Sequence, residues 1–386
     1  MEQYLNENVK NIQISGIRKF FNMVSGIEGM ISLTIGQPDF PTPDHIKKAG
    51  MNAIQENFTV YTHNAGYLPL RQAISHYVHK KYNLTYSPES EIIVTIGASE
   101  AIDVALRTVL CTGDEVILPG PVYPGYEPII RMCQGVPVFA DTRDNQFKLT
   151  KDVLEKYVTA NTKCVILPYP SNPTGVSLTE DELKEIALFL KDKPIFVIAD
   201  EIYSELLYDR PHASIGRFLR EQTIVINGLS KSHSMTGWRI GFLMAPENIA
   251  QHLLKVHQYN VSCASSISQM AALEAYTNGE EDSAAMREEY KKRRAYVYER
   301  LESFGLEVVR PDGAFYFFVK IPDAIKLDSF DFCLQLAREQ KVALVPGSAF
   351  SHYGEGYFRL SYAASMKELE EGLNRLENFL KSKHIL

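Results

Sequence analysis

From residue 91 onward the chain alternates short apolar runs with amphipathic ones. EIIVTIG (91–97) is β-branched and closed by glycine, and SEAIDVALRTVL (99–110) then places its apolar residues at helical spacing. EVILPG (115–120) predicts a strand, YEPIIRMC (126–133) a helix and VPVFA (136–140) another strand. KCVILPYP (163–170), PIFVIAD (194–200) and TIVINGLS (223–230) are β-branched runs with polar or Gly/Pro exits, the pattern of strands buried on both faces. Helical segments such as EDELKEIALFL (180–190) separate most of them. Repeated strand–helix alternation predicts an α/β fold, a mainly parallel sheet covered by helices on both sides. WRIGFLMA (238–245) reads as a further strand, antiparallel to the rest.

After residue 280 the rhythm changes. SAAMREEYKKRRAYVYERLESFG (283–305) is a long charged amphipathic helix that ends at Gly305, a suitable C-cap. LEVVR, AFYFFVK, VALVPG and YFRLSYA follow as expected strands, with a helix among them, and KELEEGLNRLENFLKSK closes the chain as another helix. The first 45 residues read as loop and are too few to fold alone. The expected organisation is residues 1–45 as an N-terminal arm and part of a small domain, 46–282 as a large domain, and 283–386 as the rest of a small α+β domain.

Composition narrows the class. The 386 residues are 45% hydrophobic and 23% charged, ordinary for a globular chain of roughly two domains. Net charge is −7, which lacks the basic footprint of a nucleic-acid binder. The longest stretch free of Asp, Glu, Lys and Arg, Val256–Leu273, carries His257, Gln258, Asn260 and several serines, so membrane insertion is not expected. MEQYLNENVK has no apolar core of a secretory signal. Five scattered cysteines (111, 133, 164, 263, 333) without a CxxC pair fit reduced thiols in a cytoplasmic protein, and no metal is expected. His76 and His79 lie three apart, but no carboxylate or cysteine pattern accompanies them.

In open α/β sheets ligands sit at the carboxyl ends of strands, so the strand exits carry the chemistry. Gly97-Ala98-Ser99 opens a helix whose N–H groups, with the Ser99 hydroxyl, suit an anion; an ordinary N-cap serine explains the tripeptide equally well. Asn172 lies in YPSNPTG, where a plain turn also accounts for it. Asp200 ends PIFVIAD; a carboxylate at the buried end of a hydrophobic strand costs several kcal/mol unless paired, though a helix cap is an even alternative. GLSKSHSMTGWRIG (228–241) puts Lys231 just beyond a strand and Arg239 eight residues later. A desolvated lysine is a good imine-former, and the arginine fork suits phosphate. Asp200, Lys231 and Arg239 together meet the needs of pyridoxal 5′-phosphate: an imine lysine, a carboxylate against the pyridine nitrogen and a phosphate ligand. Tyr203 and Asn172 are candidates for its phenolic oxygen, and Tyr123 in GPVYPGY for stacking on the ring.

At this point the chain resembles the class I aminotransferases, pyridoxal-phosphate enzymes of fold type I. IGQPDF, YTHNAGYLPLR, GASEA, SNPTG, ADEIY, GLSKSHSMTGWRIG and YFRLSYA match the family in order and spacing across essentially the whole chain. IGQPDF, YPSNPTG and GLSKSHSMTGWRIGF most resemble the bacterial subgroup that acts on N-acetyl-LL-diaminopimelate in lysine biosynthesis. The resemblance implies a seven-stranded sheet in the large domain, Lys231 as the cofactor-bound amine and proton carrier, Asp200 on the pyridinium, Tyr203 and Asn172 on the phenolic oxygen, and Tyr123 on the ring. It assigns Ala98, Ser99, Ser230 and Arg239 to the phosphate, Gly36 to the loop over substrate, and Arg359 to the substrate α-carboxylate. Tyr61 would reach the phosphate of a neighbouring subunit, which implies a homodimer. Many relatives carry serine three positions before the lysine; here Gly228 stands there, so backbone or Ser230 must supply that donor.

The implied reaction moves an amino group from a donor such as glutamate to a 2-oxo-acid or semialdehyde acceptor. Aromatic or aspartate transamination and β-C–S elimination use the same cofactor and are the alternatives. A pyridoxal-phosphate-bound DNA regulator is not expected, because the chain is acidic and leaves no room for a DNA-binding domain before residue 30. G-x-S-x-G, G-x-G-x-x-G and P-loop signatures are missing.

Overall fold

A computed structural model describes all 386 residues. Twelve strands form: β1 (Ile31–Ser32), β2 (Ile92–Thr95), β3 (Glu115–Gly120), β4 (Val136–Asp141), β5 (Thr162–Leu167), β6 (Phe196–Asp200), β7 (Thr223–Gly228), β8 (Gly241–Met244), β9 (Tyr316–Lys320), β10 (Val342–Ala343), β11 (Val345–Pro346) and β12 (Tyr357–Ser361). The main sheet has seven strands in the order β2-β8-β7-β6-β5-β3-β4. All its pairings are parallel except the two that β8 makes, so WRIGFLMA supplies the one reversed strand.

Alternate residues of these strands bury on opposite faces. Ile117, Val165, Val197 and Val225 join one apolar cluster, while Val116, Ile166, Ile198 and Ile224 join another. Both faces are therefore dry, which is why the runs carry no polar alternation. The helix opening at Gly97 (Gly97–Val109, α2) covers one of these faces through Ala101, Val104 and Ala105.

A third cluster gathers Phe317, Val319, Leu336, Leu373 and Leu376 from the C-terminal part with Phe20, Val24 and Leu33 from the N-terminal part. Backbone pairing makes the same connection: β1 runs parallel to β10, with Ile31 opposite Val342. A small antiparallel sheet, β11-β12-β9, lies in this region. The long helix Asp282–Ser303 stops where expected, with Gly305 just beyond it at φ +65°.

Three local expectations are corrected. Residues before 45 are not all loop: Gly16–Val24 is a helix (α1) that buries Phe20 and Val24. Its signal, Ile17, Phe20, Phe21 and Val24 at i, i+3, i+4, i+7, was there to be read. LEVVR forms only a single bridge, Val308 to Val319, because Pro311 lacks the N–H that a longer ladder needs. VALVPG is two strands rather than one, with β10 pairing β1 and β11 pairing β12. No helix is long and apolar enough to cross a membrane.

Candidate active site

Because β8 is antiparallel to both β2 and β7, the strands β2, β5, β6 and β7 all end on the same edge of the sheet. A cavity of about 610 Å³ opens there. Ala98, Ser99, Tyr123, Asn172, Asp200, Tyr203, Ser230, Lys231 and Arg239 line it from the strand exits, Gly36 from the segment after β1 and Arg359 from β12. Eleven of the twelve residues expected at the site therefore share one cavity. Tyr61 does not; it is 86% exposed on the outer surface.

Lys231 extends into this space, its Nζ donating to the Gly36 carbonyl at 2.7 Å. Burial pulls its pKa down to about 8, and the nearby Arg359 and Arg239 push the same way. The result is an amine that sheds its proton near pH 8 rather than 10.5, which favours the neutral form that attacks a carbonyl. Asp200 is buried at the end of β6. It accepts from the Tyr126 hydroxyl at 2.7 Å and from the Ile202 N–H at 3.2 Å. Burial still raises its pKa, outweighing those donors. A carboxylate so placed fits a cationic ring nitrogen, which would offset the cost of its charge.

Ala98 and Ser99 sit in the first turn of α2, where backbone N–H groups are unpaired. Gly97 has φ +71°, and a Cβ on it would stand 2.8 Å from the Arg239 Nη2. The guanidinium therefore lies against the helix start, and only glycine leaves room for it. Helix N-terminus, Ser99, Ser230 and Arg239 form a compact anion cradle. At Gly228 a Cβ would meet the Gly241 Cα at 2.8 Å and the Ile240 carbonyl at 3.0 Å. The close approach of β7 to β8 thus explains why no serine stands three positions before Lys231.

Arg359 is 2% exposed yet has no carboxylate partner. Its Nη1 donates to Asn172 Oδ1 at 2.9 Å and its Nη2 to the Thr34 carbonyl at 2.7 Å. Its plane packs against the Tyr316 and Phe350 rings, with centroids 4.4 and 5.0 Å away. Nε is buried without a partner. A buried guanidinium with unspent donors beside an open cavity is built for an incoming carboxylate. The Tyr203 hydroxyl pairs with that of Tyr316 at 2.8 Å, and burial keeps both phenols protonated well past neutral pH.

Sequence reasoning missed Tyr126 and Tyr316. Tyr126 follows Tyr123 within GPVYPGY, but nothing marks which tyrosine reaches the carboxylate. Tyr316 sits in an apolar run and reads as core. It also missed α1, which brings Ile17, Arg18 and Phe21 to the cavity mouth.

The donor set fits pyridoxal phosphate on three counts: a low-pKa amine, a buried carboxylate, and an anion cradle that a Cβ at position 97 would fill. Residues 28–376 match the family of class I and II aminotransferases. A probable N-acetyl-LL-diaminopimelate aminotransferase of Bacillus subtilis is 64% identical, over 99% of this chain and 97% of its own length. A crystal structure of a Pyrococcus protein, protein-A1, superposes with a TM-score of 0.95 at 40% identity, covering 98% of this chain and 99% of its own. The aspartate aminotransferase of Thermus thermophilus solved with maleate gives 0.91 at 33% identity, covering 97% and 99%. Geometry and likeness converge: this chain belongs to the class I and II aminotransferases, enzymes that depend on pyridoxal phosphate.

Proposed function

We propose that the chain catalyses transamination between N-acetyl-LL-diaminopimelate and 2-oxoglutarate, a step of lysine and diaminopimelate biosynthesis. The observation that carries the reaction type is the low-pKa Lys231 amine in one cavity with the buried Arg359, which has no carboxylate partner. The substrate rests on the Bacillus subtilis relative at 64% identity; relatives named for aromatic and aspartate substrates stand at 41% or below.

Pyridoxal phosphate supplies an aldehyde for the amino group and an electron-accepting ring. Asp200 would hold the ring nitrogen, Tyr203 and Asn172 the phenolic oxygen, and Tyr123 the ring face. Ala98 and Ser99 N–H groups, Ser230 and Arg239 would hold the phosphate. Arg359 grips the substrate α-carboxylate with its free N–H groups, while the Gly36 backbone approaches from the other side. Lys231 Nζ, once neutral, would take the proton from the substrate α-carbon and pass it to the carbon that carried the cofactor's aldehyde, with the reverse transfer serving the acceptor, the work of a general base and acid.

The enzyme would work as a cytoplasmic homodimer with shared sites. Supporting this, Val60, Tyr61 and Tyr259 are 70%, 86% and 87% exposed. The Asn64 amide donates to the Ser262 carbonyl at 2.7 Å, which joins their two segments in one outward patch. Apolar side chains this exposed suit a protein interface.

The test supplies cofactor-loaded protein with glutamate and separate acceptors: L-2-acetamido-6-oxopimelate, oxaloacetate and phenylpyruvate. The expected result is fastest turnover on the first. Faster rates on either of the others would replace the substrate, and pyruvate release from cystathionine without 2-oxoglutarate formation would replace the reaction by C–S elimination.

A further inference from the structure

Four cations line the cavity, and Asp200 is its single carboxylate. Lys231, Arg239 and Arg359 have work assigned above. Arg18 does not. It stands on α1 at the cavity mouth, exposed, with no ion pair or side-chain hydrogen bond to any residue. The other basic residues of the cavity are anchored, Lys231 on Gly36, Arg239 on the Thr236 carbonyl and Arg359 on Asn172 and Thr34.

The surroundings of Arg18 are apolar. Ile17 and Phe21, one residue before and three after, line the same wall, and Ile35 lines the mouth from the segment after β1. Phe21 is 45% and Ile35 40% exposed, a large amount of uncovered apolar surface beside an active site. A free guanidinium next to exposed Phe and Ile complements a ligand with a methylene stem and a terminal anion. Depth sets the direction: the buried Arg359 takes one end of the ligand inside, and the exposed Arg18 meets the other at the rim.

We infer that Arg18 is the receptor for the distal carboxylate of the dicarboxylate substrates, with Phe21 and Ile35 covering the chain between the two ends. The inference rests on the transaminase reading and adds a specificity-determining residue to it. A distal carboxylate is common to glutamate, 2-oxoglutarate and the acetamido-oxopimelate acceptor, so one arginine would serve both half-reactions. No distal-carboxylate arginine need come from the deep part of the cavity.

The test compares the cofactor-loaded wild type with Arg18→Gln and Arg18→Lys. Because Arg18 is exposed and unbonded, neither substitution removes a contact that holds the fold. Equilibrium binding of the unreactive dicarboxylates glutarate and pimelate is measured beside hexanoate, which has a single carboxylate. The expected result in Arg18→Gln is a loss of about tenfold in dicarboxylate affinity, the scale of one charged hydrogen bond. Hexanoate should bind wild type and variant alike, and Arg18→Lys should recover part of the loss. KM for glutamate should rise with little change in kcat. Unchanged dicarboxylate binding would overturn the inference, and so would an equal loss for hexanoate, which would mean a general field rather than a subsite. These outcomes are read from binding, so they stand apart from failure of the wild type to transaminate, which would overturn the functional reading instead.

Discussion

The Tyr126 hydroxyl donates to the Asp200 carboxylate at 2.7 Å, and both side chains are buried. No other side chain donates to Asp200; its second oxygen takes the Ile202 N–H. Tyr126 therefore fixes the orientation of the carboxylate proposed to face the cofactor ring. Tyr126→Phe keeps the ring packing and deletes the donor, leaving one carboxylate oxygen without a side-chain partner. A buried hydrogen bond to a charged group is worth about 1.5–3 kcal/mol. The expected outcome is a fall in kcat/KM of at least about tenfold, faster cofactor loss and a melting temperature lower by about 2–4 °C. Steady-state kinetics and a cofactor dissociation assay measure it.

Lys231 carries a stability signature of its own. In the folded cofactor-free chain its amine releases a proton near pH 8, against an ordinary value of 10.5 when unfolded. Between those values the unfolded chain binds more protons, so stability rises with pH across that window. Below pH 8 the whole cost of the buried charge is present, offset in part by the bond to Gly36. Lys231→Met should therefore melt higher than wild type at pH 7, by about 2 °C or more, with the gap closing as pH approaches 10.5. Thermal scans of both cofactor-free proteins at several pH values test this. The same variant should lose all turnover while remaining folded.

Gly228 marks a departure from many relatives that has a steric cause. Gly228→Ser would seem to restore a phosphate hydroxyl. Its Cβ would instead press on the Gly241 Cα and the Ile240 carbonyl, backbone atoms of the paired strand that cannot turn aside. Overpacking of this kind costs about 1–3 kcal/mol. The variant should melt lower and hold cofactor no better, read from a melting curve and a cofactor titration. Tighter cofactor binding at undiminished stability would contradict the steric account.

The large sheet was legible because its strands bury both faces, which leaves unbroken β-branched runs ending in Gly97, Asp200 and Gly228. Site residues were legible where they follow those strands, since topology alone brings the exits to one edge. Tyr126 and Tyr316 were not: each is one aromatic among many, and its role depends on which way a ring turns in the folded core. The helix α1 escaped because Ile17, Phe20, Phe21 and Val24 lie in a short stretch with exposed neighbours. The burial of Phe20 depends on a partner more than three hundred residues away, Phe330, whose ring meets it edge-on at 5.9 Å.

That distant anchor gives the last prediction. Phe20 is fully buried and points away from the cavity, while Ile17, Arg18 and Phe21 on the same helix line it. Truncating a buried phenylalanine costs about 3–5 kcal/mol, but here the strain falls on one nine-residue helix rather than on the seven-stranded sheet. Phe20→Ala should loosen α1 first. Limited proteolysis should cut near residues 10–25 before the remainder of the chain is attacked. KM for glutamate should rise in the same direction as for Arg18→Gln, although Phe20 touches no substrate. If proteolysis and KM were both unchanged, α1 would not be held by this contact, and its cavity residues would owe their placement to something else.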